Sequence, residues 1–402
     1  MNVLLNIALI TAVSLSGCSA PHDIIESSKQ SSDNTLDKVS SFNLGGVSDA
    51  NIDNTYITIE RLQFSEDADR YLVQIELWNV DTRESQHLVF VSNTKDGSNP
   101  VRYNPDDVLG KSYRRQLAGF LSDDRLFIYG DTIGDSRQEH DSPPSDGRLN
   151  IFSLEEPENA QAYNGRFGGT LSNDRFLLGD SAIEWKTGEI HQIPSIPTRR
   201  GSLTQDDWFY FGERQGQIHR FHIPDQSLES WPSDLLMPLP KPSADRNYIV
   251  AVGAEGKCSA WEVTAQEPIG NCTPAEGPVN PDRQLAMHPK ENVFAIASGT
   301  SVFLYDLAPF KLITEFDLSS EVHHVGITQG NRLVITTLTD VQIWDVNSWK
   351  LIAQQEYTPS KTQSGSTGWG YAFQHISNDG HFVAVKEVGP DGNPNIGIYK
   401  IP

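Results

Sequence analysis

The sequence predicts an all-β protein, built as a single β-propeller of four-stranded blades. A short polar turn, commonly Ser-x-Asp, recurs along the chain and is followed each time by a run of β-branched and aromatic residues. A second strand-like run then carries an aromatic residue at the same place in each copy. The copies recur at about 32–50 residues without helical periodicity, which is typical of a closed ring of four-stranded sheets.

The N-terminal residues predict a cleaved secretory signal ahead of the repeats. Residues 3–13 (VLLNIALITAV) form an apolar run, and this run is shorter than the roughly 20 residues that a bilayer-spanning helix needs. Small residues follow it, as they do at a signal-peptide cleavage site. We therefore assign residues 1–17 to a signal peptide.

The stretch Leu15-Ser16-Gly17-Cys18 resembles the lipobox of bacterial lipoproteins. The resemblance implies that Cys18 becomes the first residue of the mature chain and carries acyl chains such as palmitate. In that family the next residue influences sorting, and Ser19 in place of an aspartate implies the outer membrane. The implied location is the bacterial cell envelope, with a lipid-anchored protein that faces the periplasm.

Residues 18–44 are predicted to hold the lipidated cysteine and a flexible tether. Residues 19–41 are rich in Ser, Asp and Asn and contain few large apolar side chains. A flexible coil of that length spans on the order of 25–30 Å. We expect the β-propeller domain to cover residues 45–402, a short distance from the membrane.

The repeat copies fix the expected order of the strands. Their first turns begin near residues 120, 170, 202, 241, 286, 326 and 375. The aromatic residues of the later strand are Phe152, Trp185, Phe221, Trp261, Tyr305, Trp344 and Tyr399. One copy contains IWDVNSWK, which resembles the strand-and-turn signature of the WD-repeat propellers. This resemblance implies the fold and leaves the function open.

The number of blades stays open between seven and eight, and seven is favoured. The last copy ends at Pro402 after three strands, so an N-terminal strand should complete that blade and close the ring. Residues 56–92 contain three strand-like runs. They either donate one strand to a seven-bladed ring or form a degenerate eighth blade.

Cys258 and Cys272 are predicted to form a disulfide within one blade. In most copies the turn between the third and fourth strands is centred about four residues after the aromatic residue, which places the centre at Ala265 after Trp261. Residues placed symmetrically about that centre face each other at roughly 4.5–5.5 Å, within disulfide reach, and the two cysteines are such a pair. The envelope is oxidising, and no third ligand is spaced to make a metal site.

The two faces of the predicted propeller should differ. Connections between the second and third strands should share one face with the connections from blade to blade, and this face should carry almost every insertion. Those insertions are residues 93–115, 131–147, 231–242, 273–284, 358–370 and 389–395. Long loops on a rigid scaffold are where binding residues concentrate. The other face should carry tight turns, where Asp-Arg pairs at 124–125, 174–175 and 245–246 recur and predict contacts between blades.

Two insertions hold the candidate binding residues. Residues 131–147 contain Asp135, His140 and Asp141, which predict either a ligand-binding loop or a solvated acidic loop. Residues 364–373 combine Gly and Ser with Trp369 and Tyr371, side chains that suit binding to protein or sugar. The alternative is that Tyr371 already belongs to an inner strand and only Trp369 lies in the loop.

The composition and the motifs narrow the function. The 53 acidic and 31 basic residues give a net charge of −22, which repels phosphate backbones and anionic lipid headgroups. We therefore expect no nucleic-acid partner and no membrane contact beyond the lipid anchor. No linear catalytic motif, cofactor motif or metal-ligand spacing is found. The favoured function is a non-enzymatic scaffold that binds another envelope protein. The alternatives are a metal-dependent, lactonase-like propeller hydrolase and a glycan- or peptidoglycan-binding module.

Overall fold

The structure is a computed structural model, and it describes most of the chain. The described residues are 35–43, 55–79, 82, 84–94, 100–111, 113, 115–131, 147–172, 175–193, 200–203, 207–213, 216–253, 255–265, 267–272, 284–337, 339–358, 374–377, 379–388 and 394–402. Within these ranges the regular structure is almost entirely β-strand, and the one α-helix is α1 (Pro105–Leu109).

The described strands form eight antiparallel sheets of four strands each. We number these sheets as blades in chain order, with the first strand of each blade innermost in the ring. Blade 1 contains β2 (Thr55–Phe64), β3 (Arg70–Asn79), β4 (Glu84–Asn93) and β5 (Val101–Tyr103). Blade 2 contains β6 (Arg115–Ser122), β7 (Arg125–Asp131), β8 (Arg148–Ser153) and β9 (Gln161–Asn164). Blade 3 contains β10 (Phe167–Ser172), β11 (Arg175–Leu178), β12 (Ser181–Glu184) and β13 (Ile190–Gln192). Blade 4 contains β14 (Arg200–Leu203), β15 (Trp208–Gly212), β16 (Gln217–His222) and β17 (Ser227–Pro232).

The second half of the ring repeats the pattern. Blade 5 contains β18 (Leu239–Pro242), β19 (Tyr248–Val252), β20 (Cys258–Glu262) and β21 (Gly270–Cys272). Blade 6 contains β22 (Leu285–Met287), β23 (Val293–Ser298), β24 (Ser301–Leu307) and β25 (Phe310–Asp317). Blade 7 contains β26 (Val322–Ile327), β27 (Arg332–Thr337), β28 (Asp340–Asp345) and β29 (Lys350–Glu356). Blade 8 contains β30 (Gln374–Ile376), β31 (Phe382–Val388) and β32 (Pro394–Lys400), with β1 (Asp37–Asn43) as its outer strand.

The ring of eight blades corrects the favoured count of seven. Residues 55–103 form a complete four-stranded blade instead of donating one strand to another blade. In blade 1 the place of the third-strand aromatic residue is occupied by Ser92, which pairs with Tyr71 of the second strand. The large ring of this blade therefore comes from the second strand. The aromatic residue that marks the third strand of the other blades is therefore missing. For that reason the sequence periodicity does not reveal this blade.

The N-terminal strand closes blade 8, as predicted, and that strand is β1. It pairs antiparallel with β32, from Asp37 opposite Lys400 to Asn43 opposite Asn395. β1 lies inside residues 18–44, the stretch that the sequence assigns to the tether. The folded domain therefore starts before residue 45, at Asp37 or earlier.

An ion pair fastens β1 across blade 8. Lys38 on β1 donates to the carboxylate of Glu387 on β31, two strands away. Glu387 is only 5% exposed, and it also accepts hydrogen bonds from Tyr399 Oη at 2.6 Å and Asn395 Nδ2 at 2.9 Å. Gly397 leaves room for these groups, since a Cβ there would lie 2.7 Å from Glu387 Oε1. The closing strand thus carries one half of a largely buried charge pair.

The Ser-x-Asp motif builds the tight turn between the first and second strands. In blades 1, 5 and 8 the Ser hydroxyl donates to the Asp carboxylate two residues later, at 2.7, 2.6 and 2.5 Å. The same hydroxyl accepts the backbone N–H five residues later, at 3.0, 3.1 and 2.9 Å. The residue three positions after the Ser has a positive φ in each case, and these residues are Ala68, Arg246 and Gly380. The motif therefore fixes its turn through its own side chains.

The core lies between neighbouring blades as a series of apolar clusters. All seven aromatic residues predicted for the third strands are buried there, each 8% exposed or less. Phe316 of blade 6, for example, stacks on Trp344 of blade 7 with ring centroids 4.9 Å apart. Full burial of one such side chain contributes about 1.5–3 kcal/mol, so these contacts hold adjacent blades together.

The predicted disulfide between Cys258 and Cys272 is present in blade 5. The two residues are direct partners on β20 and β21, with Cα atoms 5.0 Å apart. Both side chains are buried in the apolar cluster that joins blades 5 and 6. The bond therefore attaches the short outer strand β21 to the rest of its sheet.

Candidate functional site

The strand order separates the connections onto two faces of the propeller. Connections from the second to the third strand, and from each blade to the next, begin and end at one face, which we call the insertion face. The other two kinds of connection belong to the opposite face, the turn face. The long connections of the insertion face are 43–55, 103–115, 131–148, 192–200, 232–239, 272–285, 356–374 and 388–394. One predicted insertion is divided, because residues 93–101 join β4 to β5 and belong to the turn face.

Side chains at the turn face are used to join neighbouring blades. Arg175 of blade 3 pairs with Asp207 of blade 4, and Arg125 of blade 2 lies over the Trp185 ring of blade 3 at 5.2 Å. These contacts confirm the predicted blade-to-blade role for two of the Asp-Arg pairs. Further hydrogen bonds between blades are Asp67 N–H to Asp123 (2.8 Å), Asn292 to Asp245 (2.8 Å), His288 with Asn331 (3.0 Å) and Arg332 to the Pro402 carbonyl (3.2 Å).

The helix α1 covers the insertion face between blades 1 and 2. Its N-cap is Asn104, whose side chain accepts the Asp106 N–H at 3.2 Å, and Pro105 follows as the first helical residue. Gly110 ends the helix with a φ of 74°, a conformation that glycine adopts without strain. Pro105 and Leu109 are buried against blades 1 and 2. The capping residues and the two buried side chains therefore hold α1 against blades 1 and 2.

A β-bulge in β2 places two charged residues on the same side of blade 1. Beside Gln74 of β3 the register shifts by one residue, so that Glu60 is inserted next to Arg61. Regular alternation would send these two side chains to opposite faces of the sheet. Both instead point toward blade 2. Glu60 accepts a hydrogen bond from Gln74 of β3, whose side chain also reaches the Gln116 carbonyl of blade 2. The Arg61 guanidinium lies 5.7 Å from the centre of the Phe127 ring of blade 2.

Five residues form a polar cluster beneath α1, which we call the seam cluster: Glu60, Gln74, His87, Asp106 and Gln116. Gln74 Nε2 donates to Glu60 Oε2 at 2.6 Å and to the Gln116 carbonyl at 2.9 Å. His87 Nδ1 donates to Glu60 Oε2 at 2.9 Å. Gln116 Nε2 donates to Asp106 Oδ1 at 2.5 Å. The cluster thus links the inner strand of blade 1 to blade 2 and to the helix.

His87 gives the seam cluster a group that can change its charge. Burial of the imidazole opposes its charged form, but the hydrogen bond and charge of Glu60, with the charges of Glu76 and Asp106, raise the pKa of His87 above its usual value. Among the described residues, His87 Nε2 and Gln116 Oε1 have no hydrogen-bond partner. The cluster can therefore hold a proton in the seam and offer one buried donor and one buried acceptor.

Most of the predicted site residues lie outside the described residues. They are Cys18, Asp135, His140, Asp141, Trp369 and Tyr371, and their lipidation and binding roles stay predictions. In the part of the chain that the structure describes, no three His, Cys, Asp or Glu side chains are arranged to hold a metal ion. That same part contains no helix with the length and apolar character needed to cross a membrane.

Charged residues inside an apolar strand are the sequence signal for the seam cluster, although they do not identify its other members. Glu60-Arg61 interrupts the strand-like run YITIERLQF, and Lys386-Glu387 interrupts FVAVKEV in the same way. A charge inside a strand that is otherwise apolar needs a partner or it destabilises the fold. The partners are distant in sequence, such as His87 and Asp106, so the composition of the strand cannot identify them.

Structural similarity to known proteins concerns the fold alone. No family model matches the sequence, and no curated protein matches it. Among solved structures the chain is similar to the computationally designed Ika8 protein, with a TM-score of 0.53 and 11% identity over 90% of this chain and 99% of that chain. A chain of the mitotic checkpoint complex matches with a TM-score of 0.45 and 12% identity, over 98% of this chain and 99% of that chain. The first likeness supports the fold, and the second is too weak to add to it.

Proposed function

We propose that the protein is a lipid-anchored, non-enzymatic scaffold of a bacterial envelope that binds another envelope protein through its insertion face. The difference between the two faces supports this proposal. Turn-face side chains are engaged in contacts between blades, as Arg175 is with Asp207. The insertion face instead carries long connections on rigid strands, which is the usual arrangement of a binding surface.

The proposed anchor suits this role. Lipidation of Cys18 would attach the membrane to the outer edge of blade 8 through residues 19–35, since Leu36 is already buried in the cluster between blades 7 and 8. A flexible segment of that length reaches on the order of 25 Å. The propeller would thus stay near the membrane and turn freely enough to meet a partner. Replacing Cys18 with Ser should release the protein into the soluble envelope fraction.

Crosslinking in native envelopes tests the partner. The intact lipidated chain should capture one protein in stoichiometric amounts. Shortening the connections at 131–148 and 356–374 should abolish the complex, because both belong to the insertion face. A matched variant with a shortened 153–161 connection, which belongs to the turn face, should retain the complex. All three proteins should unfold at similar temperatures.

Other outcomes would replace the proposal. Equal capture by both shortened variants would move the interface away from the insertion face. Absence of any stoichiometric protein would end the scaffold proposal. Sedimentation of the folded protein with purified peptidoglycan, lost in Trp369→Ala, would favour the glycan-binding alternative. Chelator-sensitive hydrolysis of a lactone would favour the hydrolase.

A further inference from the structure

Four large apolar side chains are exposed among the described residues, and one of them lies at the insertion face. Val101, Ile190 and Leu228 belong to the outer strands β5, β13 and β17. Leu236, which is 50% exposed, lies instead in the connection from blade 4 to blade 5, residues 232–239. A single exposed apolar residue is ordinary on a protein surface, so the setting of Leu236 decides its meaning.

The backbone around Leu236 is packed tightly onto blade 4. Its neighbour Leu235 is buried, and the Ser233 N–H donates to the Gly216 carbonyl at 2.7 Å. A Cβ on Gly216, whose φ is 87°, would lie 2.4 Å from the Ser233 carbonyl oxygen. A Cβ on Gly212 would lie 1.9 Å from the carbonyl oxygen of Pro238. Glycine at these two positions therefore lets the connection approach the blade closely.

Glu255 fixes Leu236 itself to blade 5. The Leu236 N–H donates to both carboxylate oxygens of Glu255, at 3.0 Å each. Glu255 lies in the 252–258 connection, which also belongs to the insertion face. Its side chain lies over Gly253, where a Cβ would be 2.4 Å from Glu255 Oε2. The backbone of Leu236 is thus held from two blades while its side chain faces solvent.

The next residue, Met237, has a strained backbone. Its φ is 49°, in the left-handed region that residues with a Cβ adopt at a steric cost. Six other non-glycine residues in the described part of the chain have a positive φ, and all six lie in turn-face connections: Ala68, Asp207, Gln226, Arg246, Asn331 and Trp349. Met237 alone among them lies at the insertion face. Backbone strain of this kind is concentrated at binding sites, where it holds a side chain in position.

The charges around Leu236 are mainly negative. In the described residues of the connections 212–217, 232–239 and 252–258 there are three acids, Glu213, Asp234 and Glu255, and one base, Lys257. Asp234 is exposed, and its carboxylate has no hydrogen bond or ion pair among the described residues. The whole chain carries a net charge of −22. A surface that meets this site is therefore favoured if it is basic.

We infer that Leu236 and Met237 form a rigid apolar anchor that inserts into an apolar pocket of the partner protein, with a basic side chain at the rim of that pocket to meet Asp234. The inference rests on the proposed function, because it places the contact with that partner at the boundary of blades 4 and 5. A side chain presented by a fixed backbone loses less conformational entropy on binding than one on a mobile loop. Buried anchors ringed by polar contacts supply most of the affinity of protein interfaces.

A photoreactive side chain locates the contact. The probe is p-benzoylphenylalanine in place of Leu236 in the full-length chain, irradiated in native envelopes. It should crosslink the same protein that the intact chain captures in stoichiometric amounts, as identified by mass spectrometry. The same probe in place of Leu228, which is 47% exposed on the outer strand β17 of blade 4, should not crosslink that protein.

Affinities for the purified partner test the anchor quantitatively. Leu236→Ala should weaken binding about tenfold or more, because it removes apolar groups that the pocket would bury. Asp234→Asn should weaken it about threefold and reduce its dependence on salt. The matched control is Leu228→Ala, which removes the same groups from another exposed site and should leave binding unchanged. All three substitutions lie at exposed positions, and thermal unfolding checks that each variant folds.

The outcomes separate the anchor from the scaffold proposal. If the intact chain captures a partner that Leu236→Ala binds as tightly as Leu228→Ala does, the anchor is overturned and the scaffold proposal stands. Crosslinking of the partner from position 228 but not from position 236 would overturn the anchor in the same way. If the intact chain captures no protein, the scaffold proposal fails and the anchor fails with it.

Discussion

Blades 1 and 8 each contain an acid and a base side by side within a strand, and they place these charges differently. In β2 the bulge turns both Glu60 and Arg61 toward blade 2. In β31 the register with β32 is regular, so Lys386 and Glu387 point to opposite sides of the sheet. Lys386 shares a side with Ala384, which packs against blade 1.

In both pairs the acid has partners and the base has few. Glu387 is held by Lys38, Tyr399 and Asn395, as Glu60 is held within the seam cluster. Lys386 is only 4% exposed, and among the described residues its ammonium group has no hydrogen-bond or ion-pair partner. Adjacent opposite charges therefore do not neutralise each other here. The acids are held by hydrogen bonds within the fold, whereas the bases are buried with few partners.

The largest expected effect comes from breaking the closing pair of blade 8. Lys38→Gln leaves Glu387 buried without a counter-charge and should lower the free energy of unfolding by about 2–3 kcal/mol in urea titrations. Glu387→Gln should cost less, because the Lys38 side chain is 37% exposed and regains water. If Lys38→Gln lowers the free energy of unfolding no more than Glu387→Gln does, Lys38 does not stabilise the fold by neutralising the buried Glu387 carboxylate.

Lys386→Met should stabilise the protein, which distinguishes this base from Lys38. Burial lowers the pKa of Lys386 to about 8 from 10.5, so charging it in the folded state costs on the order of 3 kcal/mol at neutral pH. The unfolded chain binds more protons between those two values, so wild-type stability should rise as the pH increases from about 8 to 10.5. The methionine variant should lose that rise, whereas Lys350→Met on the outer strand β29 should keep it. A wild-type curve that is flat over this range would contradict the unpaired buried charge.

Glu60→Gln tests the acid of blade 1. The pKa of His87 is raised in the folded protein, so its stabilisation is complete below pH 6.5 and is lost as the pH rises through the folded-state pKa. The variant should lower the pKa of His87 in an NMR titration. It should also cost about 1–2 kcal/mol at acidic pH, as a hydrogen bond to a charged group does. An unchanged His87 titration would show that Glu60 is not its main partner.

The smallest effect is expected for Arg61→Gln. Because Arg61 is buried without a carboxylate partner among the described residues, its removal should not lower the free energy of unfolding, since the cost of burying the charge offsets the lost packing. Arg332→Gln breaks a pair with Asp345 and should cost about 1 kcal/mol. The order of these two variants in the same urea titration is the test, and a larger loss for Arg61→Gln would contradict it.

The sequence predicts the repeating parts of the fold well, because each repeat contains its own local instructions. The hydroxyl of Ser243 and the carboxylate of Asp245 fix a turn within a few residues, and the register about Ala265 pairs Cys258 with Cys272. The repeat pattern does not predict blade 1, because the aromatic ring of that blade belongs to Tyr71 on the second strand instead of to a residue on the third.

The seam cluster and the position of the closing strand depend on distant partners. His87 meets Glu60 only after β2 bulges and β4 pairs beside β3. β1 looks like part of a polar tether in sequence, and its strand character depends on pairing with β32. Contacts between residues so distant in sequence depend on the complete fold, so no local sequence pattern predicts them.

The NMR titration of the Lys386 side chain gives the most direct test of the central claim, that the base beside each buried acid lacks a carboxylate partner among the described residues. In the isotope-labelled protein the pKa of Lys386 should be about 8, below the ordinary value of 10.5, because burial opposes its charge. A Lys386 titration at 10.5 or above would contradict the claim.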